Sequence, residues 1–180
     1  VLVGIIIAVF AKRRPAVVNR TFGRLQIISS TWFALTHGAN DGQKTMGIIV
    51  LILFSADLIS EIHMPLWVIL AAASAMSLGT FFGGYKVIKT LGLRITRLKP
   101  YQGFAAETGG GIMLAAFAIL GIPASTTHAI TGSVMGAGAA RRIRAVRWKV
   151  SRQIIFSWVI TIPGAAGLAI AFTYIIHLFV

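Results

Sequence analysis

Three clusters of basic residues divide this chain into long stretches that carry almost no charge, and that alternation limits its fold more than any other feature. The first cluster is Lys12, Arg13, Arg14, Arg20 and Arg24; the second Lys86, Lys89, Arg94, Arg97 and Lys99; the third Arg141, Arg142, Arg144, Arg147, Lys149 and Arg152. Only Lys44 of the seventeen Lys and Arg lies outside them, within the longest apolar stretch. Soluble domains carry roughly 25 % charged residues, whereas here 57 % of residues are hydrophobic and 12 % charged. So little polar surface cannot cover a water-soluble globule. The pattern is that of a membrane protein whose cytoplasmic loops hold the basic residues. A nucleic-acid partner, which a pI near 11.6 would suggest, fits poorly with charges spaced by spans.

Residues 1–180 read as a single all-α integral membrane domain. Residues 1–11 form the end of a transmembrane helix, since eleven apolar residues fall short of the ~20 a span needs. The chain therefore reads as the C-terminal part of something longer. Residues 19–26, with Arg20 and Arg24 four apart, suggest an interfacial helix. Residues 25–59 are too long for one simple span and contain THGANDGQKTMG, so they are expected to form a broken transmembrane helix. DLISEIHM, at 57–64, has two acids and no Lys or Arg and reads as an outer loop. Residues 65–85 recross. Residues 103–140 begin and end beside basic clusters and are interrupted by GIPASTTH, so they are expected to form a re-entrant helical hairpin. A basic surface segment, 143–153, leads to a last transmembrane helix, 154–180, bent near Pro163.

Two polar interruptions thus fall in apolar segments, the usual sequence pointer to a transporter site near the midplane. At GIPASTTH, Pro123 suits a helix start and Ser125, Thr126 or Thr127 can cap it. The half-helix would aim unpaired N–H groups and three hydroxyls inward, a set of donors suited to an oxyanion; ordinary capping is the simpler account of the same residues. At GAND, Gly38 permits a break, and Asn40 and Asp41 offer oxygen ligands for a hard cation or a site for a proton. A salt bridge between Asp41 and Lys44, three residues apart, would instead merely hold a kink. Glu107, the other acid outside the outer loop, could carry a proton or cation, pair with a basic neighbour, or cap a helix. His37 and His128 flank the two interruptions, but two histidines without a third ligand make a weak metal site and a better pair of hydrogen-bonding residues. The glycine runs 109–111 and 132–138 suit close helix packing.

THGANDGQKTMGII, GFAAETGGG and LGIPASTTHAITGSVMGAG together resemble the inorganic phosphate transporter (PiT) family, in the correct order and over essentially the whole chain. The resemblance implies the second half of an inverted-repeat secondary transporter, moving inorganic phosphate with a cation. By resemblance, Ser125, Thr126, Thr127 and Asp41 would bind phosphate. Asn40, Asp41 and Glu107 would couple the cation, with Gly38, Lys44, Thr45 and His128 in support. Sodium-coupled members continue after GAND with small residues such as Val-Ala-Asn-Ala. The Gly42-Gln43-Lys44-Thr45 here is similar to bacterial and plastid members associated with protons and metal–phosphate complexes. H⁺, or a divalent metal complexed with phosphate, is therefore expected ahead of Na⁺, with Lys44 as a fixed charge in place of sodium. No cofactor, resident metal or catalytic residue is expected.

Two other readings compete: transport of another tetrahedral oxyanion such as sulfate, and a membrane-embedded metal enzyme built on His37, His128 and Asp41. The partners expected are phosphate, a coupling cation, the lipid bilayer and a missing N-terminal repeat in cis or trans, with a homo-oligomer left open. The expected location is the bacterial inner (cell) membrane, crossed several times.

Overall fold

The structure, a computed structural model, describes residues 1–90 and 95–177, and the backbone alone at positions 86 and 88. It is all-helical over the described residues: α1 (Leu2–Phe10), α2 (Pro15–Ser55), α3 (Leu66–Lys89), α4 (Pro100–Ile119), α5 (Thr126–Ala139) and α6 (Trp148–His177), with a 3₁₀ turn at Ile143–Ala145. Arg94 of the second basic cluster and 178–180 of the expected last span lie outside the described residues.

Local signals explain the boundaries. Pro15 and Pro100 sit in the first turns of α2 and α4, where a missing N–H costs nothing. Helix α2 stops where Asp57 adopts a positive φ of 54°, and the Asp57 and Leu58 amides bond back to Phe54 and Leu53 at 3.1 and 3.0 Å. Helix α4 stops in the same way at Gly121, φ 67°, with the Gly121 and Ile122 amides on Ala118 and Phe117 at 3.2 and 2.9 Å. Each pair of bonds satisfies carbonyls that the helix end leaves open.

The expected break at GAND is not there. Helix α2 runs unbroken for 41 residues through Gly38 and absorbs the expected interfacial helix into its first turns. The polar side chains satisfy themselves on the helix that carries them. Thr36 Oγ1 donates to the Phe33 carbonyl at 3.0 Å, Asn40 Nδ2 to Thr36 at 2.8 Å and Thr45 Oγ1 to Asp41 at 3.1 Å. With those groups paired, the three glycines of this stretch cost only ~1 kcal/mol each in helix propensity. Gly38 lowers helix propensity without stopping the helix.

Helices α4 and α5 form a hairpin packed along α2. At its base a core gathers Val3, Ile6, Phe22, Ile95, Ala105 and Val146 with their neighbours. Phe22 sits edge-on between Phe10 and Phe104, with centroids at 5.2 and 5.4 Å. Close approach of α4 to α2 depends on Gly111, where a Cβ would lie 2.7 Å from the Trp32 indole. Helix α3 lies against α2, while α6 touches the rest near its start, through Val150 and Ile154 and the Trp158 ring 3.8 Å from that of His128. Among the described residues two helical segments, Leu66–Tyr85 and Trp148–His177, are long and apolar enough to cross a membrane, with mean hydropathies of 1.7 and 2.0.

Candidate functional site

Asp41 and the hairpin tip meet. Two successive turns of α2 carry His37, Asp41 and Lys44 on the side facing the tip, because residues three and four apart share a helix face. Asp41 Oδ2 accepts the Thr126 hydroxyl at 2.9 Å, and Asp41 Oδ1 accepts Lys44 Nζ at 3.2 Å. The Lys44 ammonium also donates to the Ala124 carbonyl, so a single cation ties the α2 carboxylate to the backbone of the tip. His37 Nδ1 stands 3.4 Å from Asp41 Oδ2 without making a hydrogen bond. Asp41 and Lys44 are each about one-third exposed, open to a cleft rather than sealed in the core. Thr126 is buried, 3 % exposed, which fixes its hydroxyl toward the carboxylate.

The tip is the N terminus of α5. Ser125 is its cap, its Oγ accepting the His128 amide at 3.3 Å, and it also lines the cavity at the tip. The amides of Thr126 and Thr127 open the helix and have no intrahelical acceptor, leaving a partial positive charge at the tip. A cavity of about 420 Å³ lies here, lined by Asp41, Lys44 and residues 123–127. A larger, mainly apolar cavity of about 960 Å³ runs between α2, α3 and the hairpin, past His37 and Glu107. Thr127 lines both, so the two spaces adjoin at its side chain.

Other candidates lie elsewhere. Asn40 is 6 % exposed and spends its amide on the Thr36 and Leu114 carbonyls, at 2.8 and 3.4 Å; it ties α2 to α4 and does not line the Asp41 cavity. Glu107 is not brought to Asp41. It accepts Ser29 Oγ at 2.6 Å and Gln26 Nε2 at 3.3 Å, and Ser29 precedes Asp41 by twelve residues, ~18 Å along the helix. Gly38 lies within α2 with open space around it, Thr45 is exposed and bonded to its own helix, and His128 packs on Trp158. Gln26 and Ser29 were not singled out from the sequence. Their three-residue spacing on one helix face, polar within an apolar run, is the signal that could have found them.

Comparison with known proteins bears on the family of the chain. The description "Phosphate transporter family" attaches to a profile matching residues 3–169. A protein of Rhizobium meliloti (strain 1021) named "Probable low-affinity inorganic phosphate transporter" is 51 % identical over 92 % of this chain and 50 % of its own length. One of the same name from Bacillus subtilis (strain 168) is 37 % identical over 99 % of this chain and 54 % of its own. The chain thus spans about half the length of these curated relatives. A solved structure named "The sodium-dependent phosphate transporter" superposes with a TM-score of 0.71 at 34 % identity, covering 81 % of this chain and 37 % of that one.

Proposed function

The chain belongs to the phosphate transporter family, a family of membrane transporters and not of enzymes, and from that premise we propose that it forms one half of a cation-coupled transporter of inorganic phosphate. The observation that carries the reading is the junction of Asp41, Lys44 and Thr126 beside the 420 Å³ cavity. Phosphate enters that cavity against the Thr126 and Thr127 amides and hydroxyls, with Lys44 supplying the positive charge. Asp41 repels a fully ionised oxyanion but accepts a hydrogen bond from one that still bears a proton. Monohydrogen and dihydrogen phosphate both have such a proton at neutral pH, and sulfate has none. A site with a committed acceptor rejects an anion that cannot donate to it.

Coupling falls to Glu107. Lys44 already balances Asp41, whereas the partners of Glu107 are a hydroxyl and an amide, both neutral. A proton, or a divalent metal arriving with phosphate, would complete that site by way of the larger cavity, which Glu107 lines. The hairpin enters and leaves on one side of the bilayer: α5 has 14 residues, ~21 Å long against a hydrocarbon core of ~30 Å. A second, inverted half supplies the remaining wall, and the assembly resides in the bacterial inner membrane.

The test is uptake by the full-length transporter in proteoliposomes under imposed H⁺ or Na⁺ gradients, with sulfate as competitor. The reading predicts phosphate uptake driven by a proton gradient and indifferent to a hundredfold excess of sulfate. In Lys44→Ala, phosphate affinity falls about tenfold and uptake acquires a dependence on external cations. Uptake driven by sodium alone with Lys44 intact would overturn the choice of ion, and effective sulfate competition the choice of anion.

A further inference from the structure

At the base of the hairpin, far from Asp41, a second cleft of about 210 Å³ lies between the approach to α4 and the exit of α5. Arg97 and Lys99 line one side of it, Arg141 and Arg142 the other. Its floor is built from fixed groups. Gln102 is 5 % exposed, its Nε2 donating to the Ala137 carbonyl at 2.9 Å and its Oε1 accepting the Lys99 amide at 3.0 Å. A Cβ on Gly138 would lie 3.0 Å from the buried Thr96 side chain, so the two walls meet as closely as glycine allows. The Arg147 amide, bonded to the Ile95 carbonyl at 2.9 Å, pins them together.

No carboxylate lines this cleft, and the ion pairs among the described residues both involve Asp41. Residues 141 and 142 follow the C terminus of α5, where the helix dipole favours cations. Residues 97 and 99 precede the N terminus of α4, where it disfavours them, and α4 has no acid in its first turn to offset them. The positive-inside rule accounts for the number of basic residues on this side, but not for four of them meeting at one cavity without a counter-charge.

We propose that this cleft is a second anion site, for a phosphoryl group supplied either by free inorganic phosphate or by the headgroup of an anionic lipid. Arginine forks match pairs of phosphoryl oxygens. The volume equals that of about seven waters at ~30 Å³ each, enough for one phosphoryl group and its hydration. A bound anion would bridge residues 97–99 to residues 141–142 and clamp the base of the hairpin whose tip carries the transport site. Binding here is read without transport, so the site stands or falls separately from the transport reading.

The experiment uses the full-length transporter in two arms. In phosphatidylcholine nanodiscs, equilibrium binding of radiolabelled phosphate is measured with every protein carrying Asp41→Asn, which removes the contribution of the transport site. In phosphatidylglycerol nanodiscs without free phosphate, lipid retention is counted by native mass spectrometry. The triple variant Arg97→Gln, Arg141→Gln, Arg142→Gln is expected to weaken retention in one of the arms by at least about tenfold. The arm that responds identifies the source of the phosphoryl group. The triple Arg→Lys variant at the same positions keeps the charge but loses the forks, and its retention is expected to fall between those of wild type and the Arg→Gln triple; Arg144→Gln with Arg152→Gln, outside the cleft, is expected to stay within twofold of wild type. Gel filtration and the unfolding temperature establish that the variants are folded; should the triple fail, Arg97→Gln and Arg141→Gln singly carry the same comparison. Wild-type retention by the folded Arg→Gln variants in both arms would overturn the proposal, as would an equal loss in the Arg144/Arg152 control.

Discussion

Asp41 and Glu107 are both half-buried carboxylates among apolar helices, yet the chain treats them differently. Asp41 faces an ammonium at 3.2 Å, a hydroxyl at 2.9 Å and an imidazole at 3.4 Å, and it sits at a cavity with polar walls. Glu107 faces a hydroxyl at 2.6 Å and a carboxamide at 3.3 Å, beside a cavity with mainly apolar walls. A carboxylate withdrawn from water costs several kcal/mol unless charge or hydrogen bonds offset it. Lys44 supplies the charge for Asp41, whereas Glu107 has hydrogen bonds alone and is the better place for a cation to join. On the proposed reading the pair separates two tasks, anion recognition at one carboxylate and cation uptake at the other, with Ser29, which bonds Glu107, ~18 Å before Asp41 along α2.

Substitutions at the anion end should break this division most sharply. Asp41→Asn leaves Lys44 without its counter-charge and removes an acceptor from the cavity. Loss of one partner of a buried, hydrogen-bonded charge pair commonly costs ~2–5 kcal/mol, and this pair, about one-third exposed, belongs at the lower end, so phosphate uptake should fall by about thirtyfold or more, measured as initial rate in proteoliposomes. A smaller loss is expected for Thr126→Val, which keeps the shape and removes only the hydroxyl bonded to Asp41. An acceptor left without its donor costs ~1–3 kcal/mol, so KM for phosphate should rise roughly 5- to 150-fold, with Thr126→Ser close to wild type. Equal KM values in Val and Ser would mean that the hydroxyl takes no part.

Glycine substitutions sharpen the structural side of the comparison, with smaller effects still. Gly111→Ala places a methyl group 2.7 Å from Trp32 and should destabilise the fold by ~1–3 kcal/mol, read as a lower unfolding temperature. Gly38→Ala meets open space and gains up to ~1 kcal/mol of helix propensity. If α2 stays continuous throughout transport, this variant should be no less stable and should retain uptake within twofold. Lost uptake with full stability would show that the helix unwinds at Gly38 during the cycle.

The membrane character and the helix ends on either side of residues 120–125 were legible because they rest on composition and on strong local punctuation. Pro100, Gly121, Pro123 and Ser125 each do at the backbone what their types lead one to expect. The continuity of α2 was not legible. Gly38, Asn40 and Asp41 resemble a helix breaker when read alone, and the carbonyls that satisfy Thr36, Asn40 and Thr45 are visible only once the helix is built. The pairing of Asp41 with Lys44 was legible from their spacing; the reach of Lys44 to Ala124, eighty residues away, was not. Glu107 stood out as a rare acid, but its partners Gln26 and Ser29 depend on how α4 packs against α2, which local sequence does not encode.

The most direct test of the division between the two carboxylates is phosphate transport by Glu107→Gln in the full-length protein, comparing gradient-driven uptake with phosphate–phosphate exchange at equal cation concentrations. The amide keeps the shape and the bonding partners but cannot take up a proton or hold a metal ion. Exchange within about threefold of wild type, with uptake no longer responding to the cation gradient, is the predicted result. Gradient-driven uptake at the wild-type level would contradict the account, because coupling would then reside elsewhere.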